Sequence, residues 1–160
     1  MSRSSRQQQG EVSILRQADQ ICRERGVRLT LQRRRVLEIL SAWPQPMGAY
    51  EILERLAGTI PGARPATVYR ALQFLQSQGL VHRLESLNAY VGCVHPEHPH
   101  ASQFLICRDC GQVEELADAS VEQILGRAAR ALGFRADSKI IEVTGCCARC
   151  AGTDDSSRVG

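Results

Sequence analysis

No stretch of this 160-residue chain approaches the roughly 18 consecutive apolar residues that a membrane-spanning helix needs. No apolar core follows the basic residues of the opening MSRSSRQQQGE either. The N-terminus is therefore not expected to act as a secretory signal, and the protein is expected in the cytoplasm. No internal repeat is present, which sets aside repeat architectures. Lysine is nearly missing: of the 20 basic residues nineteen are Arg, which leaves many bidentate donors for phosphate and guanine. What remains is ordinary for a globular protein, 43% hydrophobic and 23% charged, and long enough for one compact domain or two small ones.

The net charge of +3 conceals an asymmetry. Residues 1–83 carry 13 Lys and Arg against 6 Asp and Glu, whereas residues 84–160 carry 7 against 11. A basic half joined to an acidic half points to a polyanionic partner for the first. Within that half, residues 13–25 place Ile14, Ala18, Ile21 and Cys22 on one helical stripe, which Gly26 ends. Thr30 is placed to cap a second helix that buries Val36, Leu37, Ile39 and Leu40, and Trp43-Pro44-Gln45-Pro46 breaks it. A third helix over 48–57 turns Ile52, Leu53 and Leu56 inward. A fourth starts at Pro65, with Val68, Leu72 and Leu75 on the buried stripe and Thr67, Tyr69, Arg70, Gln73 and Gln76 exposed. LVHRLES and NAYVGC alternate apolar and polar residues around a turn at Ser86-Leu87-Asn88, which predicts a hairpin. Helices followed by a hairpin give the order of a winged helix-turn-helix, whose last helix presents short polar, aromatic and Arg side chains to a major groove.

The second half reads as a small α+β unit. QFLICRDCGQVEEL predicts two strands around a CxxCG knuckle. Residues 118–132 predict a helix capped by Asp118 or Ser120, with Val121, Ile124, Leu125 and Ala128 inward, and KIIEV predicts a further strand. Its apolar strands need a partner surface, so a homodimer is expected. The fold class is thus α+β: a disordered arm at 1–12, a winged-helix domain at 13–91, a dimerisation domain at 92–150 and a disordered tail at 151–160.

Seven cysteines occur in a chain without an export signal, so closely spaced thiols are read as metal ligands rather than disulfides. Cys107-Arg-Asp-Cys110 and Cys147-Ala-Arg-Cys150 are two CxxC pairs, and the two-residue spacer lets both sulfurs of a pair reach one ion about 2.3 Å away. Four thiolates make a closed, structural zinc site. Cys146 competes with Cys147 for a place in it. A second constellation comprises His82, Cys93, His100 and the pair Glu114-Glu115, with His95 and His98 as competing donors in a Pro-rich loop. Thiolate, imidazole and carboxylate together suit a second zinc ion.

Several motifs resemble the ferric uptake regulator family, and within it the zinc-uptake branch. They are VRLTLQRRRVLEIL, AYEILERL, RPATVYRALQFLQSQGLVHRLES, the H-x-S-Q-F-L-I-C-x-x-C-G run and the terminal CxxC, and they span Ile14 to Cys150. The resemblance implies an N-terminal winged helix and a C-terminal dimerisation domain. It implies a structural zinc on Cys107, Cys110, Cys147 and Cys150 and a regulatory zinc on His82, Cys93, His100 and Glu115, two ions per subunit. One ion bonded across that second set would lock the two domains together and fit the dimer to double-stranded operator DNA. Iron-sensing relatives carry a His-His-Asp-His run where this chain has Cys93-Val-His95-Pro-Glu97-His98-Pro-His100, and a thiolate there favours zinc over iron(II). The expected function is a zinc-responsive repressor of zinc uptake and homeostasis genes, with an iron- or other-metal-responsive repressor as the alternative. For DNA, the resemblance and the exposed face agree on Tyr69 and Arg70. Thr67 joins them, and Tyr50, Arg64 and the Arg33-Arg34-Arg35 run are candidates for backbone contacts.

Two other readings compete. His95-Pro-Glu97 followed by Cys107-x-x-Cys110 resembles fragments of a zinc deaminase signature, but Ile106 stands where that signature needs proline, and Cys147 and Cys150 are left without a role. An enzyme is therefore not expected. A thiol switch would lose DNA binding on mild oxidation, but it leaves His82 and Glu115 unexplained.

Overall fold

The computed structural model describes residues 3–96, 102–137 and 139–152. Its contacts divide the chain into two units, Met1–Pro99 and His100–Gly160.

The first unit runs α1 (Arg3–Glu24), α2 (Leu31–Ala42), α3 (Ala49–Ala57), α4 (Pro65–Ser77), β1 (Val81–Leu84) and β2 (Ala89–Gly92). Helix α1 begins well ahead of residue 13 and takes in most of the stretch expected as an arm. Arg, Gln and Ser tolerate a helix, but without an apolar stripe they do not announce one. The apolar positions of all four helices converge: Ala18, Val36, Leu37, Ile52, Leu56, Val68, Leu72 and Leu75 are buried in one cluster, and Cys22 lies inside it. Thr30 sits at the N-cap of α2 but makes no side-chain capping bond. Helix α4 ends where Gly79 adopts φ 69°, which lets the Leu80 N–H reach back to the Leu75 carbonyl at 2.9 Å. Arg25 Nη1 donates to the Gln78 carbonyl at 2.7 Å, covering the same helix end. The hairpin pairs Val81 with Gly92 and Leu84 with Ala89, and Asn88 turns it at φ 46°, a conformation Asn tolerates. Met47 adds an isolated bridge to Tyr90, through bonds of 3.0 and 2.9 Å, that periodicity does not reveal.

The second unit runs β3 (Ser102–Cys107), β4 (Val113–Leu116), α5 (Ala119–Ala131), β5 (Ile140–Gly145) and α6 (Ala148–Ala151). Strand β3 is central, antiparallel to β4 and parallel to β5. A parallel neighbour needs a crossover, and α5 provides it. Asp118 is the N-cap of α5 and accepts from the Ser120 N–H at 2.8 Å. The interior of this unit is small: Phe104, Ile106 and Cys107 are buried, together with Gln103, whose Nε2 donates to the Asp118 carbonyl at 2.9 Å. The expected inward face of α5 differs. Ile124 is 55% and Leu125 42% exposed, and Leu132, Phe134, Ile140 and Val143 are exposed as well. Three short strands offer too little surface to cover them. No helix among the described residues is long and apolar enough to cross a membrane.

Candidate metal centres and nucleic-acid interface

The parallel register of β3 and β5 sets Cys107 level with Gly145, and the Arg108 N–H donates to the Gly145 carbonyl at 2.9 Å. The knuckle that follows Cys107 thus sits beside the segment that follows Gly145. Gly111 turns the knuckle at φ 71° and its N–H returns to the Cys107 carbonyl at 3.0 Å. The result brings the sulfurs of Cys107, Cys110, Cys147 and Cys150 within 4.8 Å of one another. Cys110 and Cys147 Sγ lie 3.8 Å apart. An ion with four sulfurs at about 2.3 Å in a tetrahedron requires sulfur–sulfur edges of about 3.8 Å. The donor set and its spacing therefore fit zinc, and none of the seven cysteines forms a disulfide. Four sulfurs would fill a tetrahedron around such an ion and leave no position open for a substrate.

Backbone donors prepare the sulfurs for charge. The Cys147 N–H, 3.3 Å from Cys107 Sγ, is the main cause that brings the Cys107 thiol down to about 6, with the Cys110 N–H second. Cys110 is lowered too, first by the Gln112 N–H and then by the Arg149 side chain. Cys150 is pushed up, chiefly by its hydrogen bond with the Cys147 side chain. Without an ion the cluster shares protons, and a dication must displace them. Cys146, the competitor of Cys147, stands outside this four-sulfur group. It is exposed, its Sγ is 3.7 Å from the Cys147 carbonyl, and Asp109 pushes its thiol up to about 11.

The members of the second constellation are placed as follows. His82 is half-buried on β1, and Cys93 is fully buried just past β2, anchored by its N–H to the Leu80 carbonyl at 3.0 Å. The metal-binding atoms of these two residues lie within 4.8 Å of each other. Cys93 belongs to the first unit, whereas the segment boundary expected at 91/92 assigned it to the second. Glu115 lies on β4 opposite Phe104 and is half-buried, while neighbouring Glu114 is exposed. His95 is exposed. His98 and His100 lie outside the described residues.

On α4 the exposed face is the expected one. Tyr69 is 48% exposed and Arg70 is exposed without an ion pair among the described residues. Thr67 is half-buried, and its hydroxyl accepts from the Arg64 N–H at 3.4 Å, so part of its bonding capacity already serves the helix start. Arg64 is exposed just ahead of α4, and Tyr50 is 69% exposed in the first turn of α3. The Arg33-Arg34-Arg35 run is committed elsewhere. Arg33 lies 3.5 Å over the Phe74 ring, Arg34 pairs with Asp19, and Arg35 bonds Glu38 at 2.6 Å. A run of like charge does not disclose its partners on other helices.

Known proteins share this organisation. The sequence model of the ferric uptake regulator family matches residues 24–144. The zinc uptake regulation protein of Escherichia coli (strain K12) is 44% identical over 138 residues, which is 86% of this chain and 81% of that protein. A zinc uptake regulator solved in complex with zinc and DNA is 42% identical and superposes with a TM-score of 0.86 over 91% of this chain and 97% of that one. Holo XcZur is 43% identical and superposes at 0.82, covering 88% and 98%. With its own motifs and these likenesses in agreement, the chain belongs to the ferric uptake regulator family.

Proposed function

We propose that this protein is a zinc-responsive transcriptional repressor of zinc uptake and homeostasis genes, and that it binds double-stranded operator DNA as a homodimer in the cytoplasm. It is a regulator and not an enzyme. The observation that carries the reading is the thiol–imidazole pair His82–Cys93, held with its donor atoms within 4.8 Å at the hairpin that follows α4, the recognition helix of this reading. Nitrogen and sulfur donors favour zinc over iron(II) or manganese, which prefer more oxygen. The likeness to regulators that are named for zinc, one of them solved with zinc and DNA, supports the same conclusion.

In this reading two zinc ions serve each subunit. Cys107, Cys110, Cys147 and Cys150 hold the structural ion. His82, Cys93, His100 and Glu115 hold the regulatory one. Its ligands come from both units of the chain, so filling the site removes hinge freedom and fixes the spacing of two recognition helices for a symmetric operator. A second copy covers the exposed Ile124, Leu125, Leu132, Phe134, Ile140 and Val143. Arg70 reads a purine edge, Tyr69 and Thr67 contact phosphate or a thymine methyl, and Tyr50 and Arg64 hold the backbone.

The test is DNA binding by chelator-stripped protein titrated separately with zinc, iron(II) and manganese. Zinc is expected to restore binding at the lowest added metal. Equal binding by the stripped protein, or restoration by iron(II) at lower concentration, overturns the assignment.

A further inference from the structure

We propose that Cys107, Asp109 and Cys146 form an exposed loading position for zinc or another thiophilic divalent cation, which overlaps the four-sulfur group at Cys107. Their sulfur, carboxylate and sulfur atoms lie within 4.8 Å of one another. Cys107 is buried while Asp109 and Cys146 are exposed, so the cluster reaches from the interior of the knuckle to solvent. A cavity of about 400 Å³ opens beside it, lined by Cys107, Cys146, Cys147, Leu105, Val143 and Gln112. The Asp109 carboxylate also stands 3.8 Å from Arg108 Nε, an exposed contact that a dication at the same carboxylate outcompetes.

The chemistry follows from the donor count. Four thiolates close a zinc site, so an ion inside it has no vacant position through which to leave or be exchanged. Two sulfurs and one carboxylate hold a zinc ion with a position left for water. An arriving ion binds first to Cys107, Asp109 and Cys146, the two sulfurs as thiolates, and any proton on either thiol passes to water. Cys110, Cys147 and Cys150 then bind as thiolates, and of the three protons they release one goes to Cys146 and two go to water, while the Asp109 oxygen and the Cys146 sulfur leave the ion. Cys107 stays bound throughout. Zinc remains divalent, so the transfer needs no oxidant or reductant. Release runs the same steps backwards.

The inference rests on reading the four-sulfur group as a zinc site, and one experiment separates the two. Full-length zinc-loaded protein is mixed with excess 4-(2-pyridylazo)resorcinol, and transfer of the more tightly held zinc is followed for wild type, Cys146→Ala and Asp109→Asn. Uptake by the stripped proteins is measured in parallel. Zinc content at equilibrium is expected to match wild type, with uptake and release slowed on the order of tenfold in Cys146→Ala and less in Asp109→Asn. Unchanged rates in both variants overturn the loading position alone. Loss of zinc at equilibrium from Cys146→Ala also overturns it, because Cys146 would then be a resident ligand. A cobalt-substituted wild type without a sulfur-to-metal charge-transfer band removes the four-sulfur reading and the loading position with it.

Discussion

Replacing Cys110 by Ser takes one sulfur from the four-sulfur group and leaves the buried interior intact. Cys110 is half-buried on the knuckle, whereas Cys107 is 5% exposed at the end of β3, where a substitution would also disturb packing. What remains to hold the second unit is slight. Phe104 and Ile106 are its two large buried apolar side chains among the described residues. Each contributes about 1.5–3 kcal/mol. A structural zinc contributes an apparent free energy of about 10–16 kcal/mol at neutral pH. The ion therefore outweighs the core, and the apolar face of α5 and β5 becomes available to a second copy only once those elements are in place. Hydrogen exchange on Cys110→Ser is expected to show lost amide protection across β3 and β5 and a monomeric second unit. Protection in α2 and α4 should be retained, because the first unit has its own cluster of 16 buried side chains. Should β3 and β5 keep wild-type protection, and the dimer survive chelation, the argument that metal organises this unit is refuted.

Cys93→Ser should leave a folded dimer that carries its structural zinc but no longer gains DNA affinity when zinc is added; a normal zinc response in gel-shift titrations would remove Cys93 from the regulatory set. Arg70→Ala should reduce discrimination against mismatched operators by about 1–3 kcal/mol. Arg64→Ala should weaken binding to all sequences alike and flatten the dependence of log affinity on log salt by about 0.9. Competition assays at several salt concentrations distinguish the two effects.

The first unit was legible because each of its helices carries an apolar stripe at helical spacing. Leu37, Ile52, Val68 and Leu75 are all where that spacing puts them. The same signal failed at both ends of the chain's helical content, for opposite reasons. The start of α1 is polar all round, so no stripe marked it. The stripe of α5 was visible, but a stripe says only that a face is to be covered, and Ile124 and Leu125 are not covered within the chain. Arg33 and Arg34 show a further limit. Their partners Phe74 and Asp19 lie on other helices, at sequence distances that no local pattern reports.

The cysteines mark the boundary most clearly. Spacing alone nominated the two CxxC pairs, because a two-residue spacer is a local geometric fact. That they meet depends on a non-local one, the parallel register that sets Cys107 beside Gly145, and β-pairing of this kind is not written in either pair. The His82–Cys93 pair differs in kind. His82 lies on β1 and Cys93 just past β2 of the same hairpin, so local strand pairing brings their donor atoms together. Two donors cannot satisfy an ion that takes four. A site that is complete within one small unit holds its ion whatever the rest of the chain does, as a structural site must. As part of the proposed regulatory site, the pair would bind tightly only when two further ligands join it, so that occupancy and conformation become linked. On the proposed reading, with His100 and Glu115 as the missing donors, that incompleteness is what makes the second site a sensor rather than a second staple.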